Sequence, residues 1–262
     1  MDASLWIAKT GLDAQQTRMS TISNNLANVN TTGFKRDRAV FEDMLYQKVR
    51  APGGQVGAGA DAQSPTGLMV GTGVRIVSTE KTHAQGNLIT TKNAFDLAIQ
   101  GDGFFQIAQA DGTIGYTRDG AFKISATGQL VTNNGTLLQP AITIPNNALS
   151  ISIGQDGSVK AEVVGGASQV LGQIQIARFV NPAGLQALGG NLMKETTASG
   201  APVVLVPGQA GAGTLMQGAL ESSNVNVVEE MVNMIETQRA YEINSKAISS
   251  VDGMLRYLNQ NL

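Results

Sequence analysis

The chain has no cysteine, a single histidine, one tryptophan and few charges for its 262 residues. Each shortage removes a class of chemistry. Without cysteine there is no disulfide framework, no thiolate nucleophile and no cysteine-ligated zinc. With His83 as the sole imidazole, a Ser-His-Asp relay has one place to form and a histidine metal cage has none. His83 therefore reads as a solvated or core side chain, and no metal or cofactor is expected. Charged residues are 15% of the chain and the net charge is −2, with Lys and Arg scattered. No basic stripe is present to follow a phosphate backbone, so nucleic acid is not an expected partner. A surface so thin in charge is readily buried against neighbours.

No segment approaches the roughly 18 consecutive apolar residues of a membrane-spanning helix. The opening MDASLWIAKTGLDAQQ lacks the basic stretch, apolar core and cleavage site of a secretory signal. The expectation is a protein that stays in the cytoplasm or leaves by a route that cleaves no signal. Asp96, Asp102, Asp111 and Asp119 can approach one another in a β fold as a glycosidase pair would, but nothing singles out two of them. Aromatics are only 5%, which is poor provision for stacking on sugars. The pieces GAGA, GTG and GQAGAG have neither dinucleotide nor phosphate-loop spacing. An enzyme is not expected.

What is present is periodicity at both ends. Between Ser4 and Asn30 the apolar positions are Leu5, Ala8, Leu12, Met19, Ile22, Leu26 and Val29, with Gln15 as the polar member. These steps of three and four predict a helix with a heptad seam, and Gly33 suits its stop. In the last forty residues Ala240, Ile243, Ala247, Val251, Met254 and Leu258 form one stripe, with Tyr241, Ile248 and Leu255 beside it. Asn226 and Glu229 resemble a capping box, Glu230 suits a helix start, and Gly253 is a weak point near the end. Periodicity alone leaves open whether the two helices form the core of a monomeric helical domain or pair between subunits.

The middle, about Phe34 to Glu221, is rich in Gly, Thr, Val and Ile. Asp111-Gly112, Asp119-Gly120, Asn134-Gly135 and Asp156-Gly157 are hairpin signals, because these residues accept the positive φ of primed turns. Segments Phe104–Ala108, Ala121–Ile124, Gln129–Thr132, Leu149–Ile153 and Val159–Val163 predict short antiparallel strands in a barrel or sandwich. The stretch 49–73 is too rich in Gly and Ala to build a core and reads as a long loop or an extended ribbon. The expected class is α+β. Residues 1–33 and 222–262 are expected to form a coiled-coil-like helical domain, 34–96 and 195–221 a connector, and 97–194 a mostly antiparallel β domain.

The run Ser23 to Lys35, with Asn25, Leu26, Ala27, Asn28, Thr31, Gly33 and Phe34 at its heart, resembles the signature of the bacterial flagellar rod and hook family. The second hallmark is matched by Ser223-Asn224-Val225-Asn226, Glu229 to Ile235 and Gln238 to Glu242. Asp96 to Phe105 and Tyr116 to Gly120 also match, so the resemblance covers most of the chain. Its length and the segments 4–12 and 38–47 are similar to rod members rather than to the longer hook ones. The resemblance implies export by the flagellar type III apparatus and polymerisation into a rigid hollow shaft of the basal body. Helical ends would form the inner wall and the β domain the outer body, inside the P- and L-ring proteins of the periplasm and outer membrane. Partners would be further copies of the chain and the proximal-rod and hook-side subunits. A proximal-rod or hook-type subunit is the alternative within the family, and a periplasmic binding module or a wall-cleaving enzyme with rod-like ends is the competing class.

Overall fold

The computed structural model of the chain describes residues 2–51, 66–163 and 168–260. It is an α+β protein, with a long helix near each end and antiparallel strands between. Among the described residues no helix is long and apolar enough to cross a membrane. The described residues up to Leu26, Asp37–Glu80 and those from Val227 onward form one compact unit. Ala27–Arg36 and Lys81–Asn226 form the other. Residues 27–33, grouped from the sequence with the first helix, thus belong to the second unit, and the stretch expected as a connector is shared between the two.

The first unit holds helix α1 (Asp2–Ala27) and helix α2 (Val227–Gln260). It also holds strands β1 (Asp37–Asp43), β2 (Gln47–Arg50), β3 (Leu68–Val70) and most of β4 (Val74–Lys81). α1 ends sooner than its heptad pattern suggests. At Asn28 the chain turns, with the Thr31 amide donating to the Asn28 carbonyl at 3.1 Å. Val29 therefore lies beyond the helix, and Gly33 is not its stop. α2 carries Glu229 and Glu230 in its first turn, where they suit the positive end of the helix dipole. It continues through Gly253 to Gln260, since a glycine there weakens a helix without stopping it. β1 pairs with β4, and β2 pairs antiparallel with β3, so the two described ends of the Gly-rich stretch form a two-stranded ribbon. The rest of that stretch, 52–65, lies outside the described residues. At the ribbon's base Gly73 has φ +119°, and a Cβ there would stand 2.2 Å from the Thr10 Oγ1 of α1. Only glycine fits this approach.

Among the described residues the second unit has sixteen short strands. They are β5 (Leu88–Thr90), β6 (Leu97–Gln100), β7 (Phe104–Ala108) and β8 (Ile114–Thr117), then β9 (Lys123–Ile124), β10 (Leu130–Val131), β11 (Leu137–Gln139) and β12 (Ala148–Ile153). Next come β13 (Ser158–Val163), β14 (Ser168–Gln173), β15 (Ile176–Arg178) and β16 (Gln186–Gly189). The last are β17 (Leu192–Lys194), β18 (Val203–Leu205), β19 (Thr214–Gln217) and β20 (Ala219–Glu221). A nine-stranded sheet runs β16-β17-β8-β7-β11-β10-β9, with β15 joining β7 to β18. β12-β13-β14 form a separate meander, β19 pairs with β6, and β20 pairs with β5.

Three of the four expected hairpin turns are present. Gly112, Gly135 and Gly157 have φ of +80°, +79° and +79° and join β7 to β8, β10 to β11 and β12 to β13. The fourth, Asp119-Gly120, is no hairpin, because β8 pairs with β7 and β17 whereas β9 pairs with β10. Gly120 is glycine for another reason: a Cβ would stand 1.6 Å from the Leu97 carbonyl oxygen. The main core, which includes Leu97, Ile99, Phe105, Ile107, Phe122, Leu138, Ile174, Ile176 and Leu215, fills this unit. A second cluster of Phe104, Tyr116, Ala177, Phe179 and Met193 stands in the same unit.

Candidate functional site

Among the described residues each unit concentrates its notable chemistry in a surface or a buried junction. In the first unit the feature is the way the helices divide their faces. Contacts between them fall at seven-residue intervals on α1: Gly11, Arg18 and Asn25. A Cβ on Gly11 would lie 3.0 Å from the Asn244 amide nitrogen. Arg18 Nη2 donates to Asn233 Oδ1 at 3.5 Å, and Asn25 Nδ2 donates to Glu230 Oε2 at 3.3 Å. Rising numbers on α1 meet falling numbers on α2, so the helices run antiparallel. Asn25 is 1% exposed and also bonds the Asp37 backbone in both directions, donating to its carbonyl and accepting from its amide at 2.9 Å each. An asparagine side chain carries both a donor and an acceptor, which this bidentate contact requires.

The fully buried positions of α2 are therefore polar, Glu230 and Thr237, and beside them Asn233 and Asn244 are half-buried together with Met234, Ala240, Ile248 and Val251. Its large apolar residues look outward. Val228 is 70% exposed, Met231 53%, Val232 51%, Ile235 50% and Ile243 67%. The residues expected at the seam divide between these environments. On α1, Ile22 is buried while Leu5, Ala8, Leu12, Met19 and Leu26 are half-buried, as is Val29 beyond the helix. On α2, Ala240, Ile248 and Val251 are half-buried, whereas Tyr241, Ile243, Ala247 and Met254 are exposed. The side chains of Leu255 and Leu258 lie outside the described residues. The outward stripe Val228, Met231, Val232, Ile235 was not singled out from the sequence, although its spacing of three, four and seven is the ordinary signal of an apolar helix face.

In the second unit the notable feature is a buried ion cluster centred on Glu221. Its Oε1 takes a hydrogen bond from Lys35 Nζ at 2.6 Å, both side chains being fully buried, and another from the Gly86 amide at 2.9 Å. Its Oε2 lies 3.4 Å from Arg118 Nη1. Lys35 Nζ also donates to the Ala84 carbonyl at 2.8 Å, and Arg118 Nη2 to the Gly101 carbonyl at 2.8 Å. Burial pulls both cations below their ordinary pKa, opposed in each case by the Glu221 charge. One carboxylate thus serves two cations inside the fold, an arrangement that tolerates loss of no partner.

Those parts of the family-resembling stretches that lie in this unit meet around this cluster. Gly33, with φ +68°, donates its amide to the Glu221 carbonyl at 2.8 Å, and a Cβ on it would lie 2.6 Å from the Asp119 amide nitrogen. Thr32 Oγ1 donates to Asp119 Oδ1 at 3.0 Å. Thr31 Oγ1 donates to Asn28 Oδ1 at 3.1 Å, and the half-buried Phe34 ring lies under Lys81 Nζ at 5.2 Å. Ala27, the last residue of α1, is exposed. Asn224 takes the Arg36 amide at 2.7 Å and donates to the Thr82 and Ala84 carbonyls at 2.8 and 3.0 Å. Asn25 and Asn224 are thus explained by backbone partners and Gly33 by close approach. Glu221, the hub, was missed in the sequence because a lone glutamate at a strand end carries no periodic or motif signal.

The four aspartates considered as a hydrolase pair each have their own partners. Asp96 accepts from Thr91 Oγ1 at 2.5 Å and Asn93 Nδ2 at 2.9 Å. Asp111 accepts from the Thr113 amide and hydroxyl within its hairpin turn, and these bonds hold its carboxyl below the usual carboxylate range. Asp119 holds Thr32 and the Ala121 amide, and Asp102 faces Arg178 at 3.8 Å. His83 is half-buried and packs edge-on against Phe104 of the second cluster, with ring centroids 5.6 Å apart.

Comparison with known proteins places these features in a family. Residues 5–35 match the flagella basal body rod protein family, 98–161 the flagellar hook protein FlgE/F/G D1 domain, and 216–261 the flagellar basal body rod FlgEFG protein C-terminal family. The chain is 56% identical over 261 residues to the flagellar basal-body rod protein FlgG of Buchnera aphidicola from Acyrthosiphon pisum, covering 99% of this chain and all of that one. In Caulobacter vibrioides it is 46% identical to FlgG, with 98% of each chain covered. It is 35% identical to FlgF of the same organism, with 98% of this chain and 96% of that one covered.

Proposed function

The chain belongs to the flagellar basal-body rod protein family, and from that premise we propose that it is a structural subunit of the distal rod. In this reading the subunit polymerises with copies of itself into a rigid hollow shaft that conducts export and transmits torque. The observation that carries it is the reversed packing of α2. A helix that turns Glu230, Asn233, Thr237 and Asn244 inward and Val228, Met231, Val232, Ile235 and Ile243 outward is satisfied only when another apolar surface covers the outer stripe. Copies of the same chain offer such surfaces at Trp6 and Ile7 of α1, which are 52% and 37% exposed. A heterologous contact of this kind, repeated without closing, builds a helical polymer.

The assembled helices would form a coiled-coil-like inner wall, through Leu5, Ala8, Leu12, Met19, Ile22, Leu26 and Val29 of one end and Ala240 to Leu258 of the other. The β-rich unit would form the outer body and the Gly-rich stretch 49–73 would help lock neighbours. Proximal-rod and hook-side subunits, the P- and L-rings of the periplasm and outer membrane, and the type III export apparatus are the partners this role implies. The role calls for no catalysis. Within Caulobacter the higher identity to FlgG than to FlgF supports the distal over the proximal assignment. The test is Ile235→Asp in the purified full chain. Electron microscopy should show no filaments while the melting of the β-rich unit is unchanged; normal filaments would overturn the reading.

A further inference from the structure

A cavity of about 150 Å³ in the β-rich unit is lined by His83, Asp102, Gly103, Phe104, Arg118, Arg178 and the apolar Phe179, Val180 and Pro182. Its charges do not balance. Lys35 and Arg118 share the single carboxylate of Glu221, and Arg178 is matched by Asp102 at 3.8 Å. Cations thus outnumber carboxylates around it, and the Arg118 guanidinium, which lines the cavity, has only its 3.4 Å share of Glu221. Arg118 is 4% exposed, and its Nε has no hydrogen-bond partner among the described residues. A buried donor left unmade costs about 1–3 kcal/mol, more when charged.

The second orphan is His83 Nδ1, which is also buried and without a partner. The imidazole bonds the Pro182 backbone, whose only hydrogen-bonding group is its carbonyl, so Nε2 carries the proton and Nδ1 offers a lone pair. Burial, with Lys35, Arg118 and Lys81 nearby, holds this ring neutral near pH 7. Both orphans flank one aromatic ring: the Arg118 guanidinium carbon lies 5.3 Å from the Phe104 centroid, and the His83 ring lies 5.6 Å from it.

A ligand that satisfies all three needs carries a negative charge and an acceptor oxygen for Arg118, and a hydrogen-bond donor for His83. We propose that this cavity binds a carboxyl-terminal acylamino acid, –CO–NH–CHR–COO⁻, with R hydrogen or methyl. The carboxylate faces Arg118 and Arg178, the amide N–H donates to His83 Nδ1, and Phe104, Phe179 and Val180 receive the small R group. At about 150 Å³ the cavity has room for one terminal residue. The group is supplied equally by a free acylamino acid or by the end of a peptide.

Because His83 is the only histidine, its ring resonances in the NMR spectrum of the full chain report on the cavity without assignment ambiguity. Titration with N-acetylglycine should shift them saturably, and N-acetylglycine amide, which lacks the carboxylate, should not. Acetate, which lacks the N–H, should bind more weakly. Arg178→Gln, at a rim position with a 44% exposed side chain, should weaken N-acetylglycine at least about tenfold and leave the melting temperature unchanged. Tighter binding of N-acetyl-alanyl-alanine than of N-acetylglycine would mark a peptide terminus as the source, and equal binding a small acylamino acid; either supports the site. No saturable shift, equal binding of the amide, or an unaffected Arg178→Gln variant would overturn it.

Discussion

In the β-rich unit the large apolar side chains are inside, with Leu97, Ile99, Phe105, Ile107 and Ile176 at 0% exposure. On α2 of the helical unit the order is reversed. There Glu230 and Thr237 are at 1% and 0%, while Val228 and Ile243 stand at 70% and 67%. Full burial of a side chain such as Ile or Phe is worth about 1.5–3 kcal/mol, so the β-rich unit has the means to hold itself together. The helical unit leaves much of its large apolar surface on α2 uncovered by its own elements. One chain thus contains a part that is complete and a part that is completed by assembly. The complete part also holds residues 27–36, so the chain just after α1 is anchored whether or not the helix has found a partner.

The comparison breaks most visibly at Glu221. Glu221→Ala leaves Lys35 and Arg118 buried without a counter-charge, and should destabilise the β-rich unit by about 3–5 kcal/mol in urea unfolding. The helical contacts, which do not use this residue, should not be the cause of any loss. Gly120→Ala is expected to follow, at about 2–4 kcal/mol, since a methyl group would overlap the Leu97 carbonyl. A variant as stable as the parent would show that the strand end can shift, and that the core is looser than its burial implies.

These two positions also mark what the sequence could and could not reveal. Asp111-Gly112, Asn134-Gly135 and Asp156-Gly157 were legible because the turn they form is local: a glycine at positive φ preceded by a residue that tolerates it. Asp119-Gly120 looks the same in one dimension, but its glycine answers to a carbonyl more than twenty positions away, and no local pattern encodes that. The helices were legible from their heptads, but not which face would turn inward. The intrachain contacts run along Gly11, Arg18 and Asn25, one position before the apolar Leu12, Met19 and Leu26. A hydrophobic pattern tells where burial is wanted and does not say by which molecule. Glu221 was not legible at all, since its role exists only once four distant stretches meet.

A smaller effect sharpens the comparison through pH. His83 is held down to about 4 in the fold against 6.5 unfolded, chiefly by burial and then by the Lys35, Arg118 and Lys81 charges. As pH falls below 6.5 the unfolded chain takes a proton that the folded one refuses until about 4, so stability is lost across that window. The loss should reach about 2–3 kcal/mol, and His83→Gln should flatten this part of the stability profile. The smallest effect belongs to the helical unit's own surface pairs. Arg75, 2.9 Å from Glu42, and Arg38 with Glu80 join β1 to β4 in the open. Arg75→Ala should change stability by less than about 1 kcal/mol, and a larger loss would mean that this unit has an internal anchor beyond its polar helix contacts.

Hydrogen exchange followed along the backbone, in the dilute full chain and again after polymerisation, tests the division between the two units most directly. In the dilute chain, amides of β6, β7 and residues 27–36 should be protected while those of α1 before Leu26 and of α2 after Thr237 exchange quickly, and polymerisation should slow the helices by orders of magnitude. Helices as protected in the dilute chain as in the polymer would contradict the account, because their outer apolar stripe would then need no neighbour to be stable.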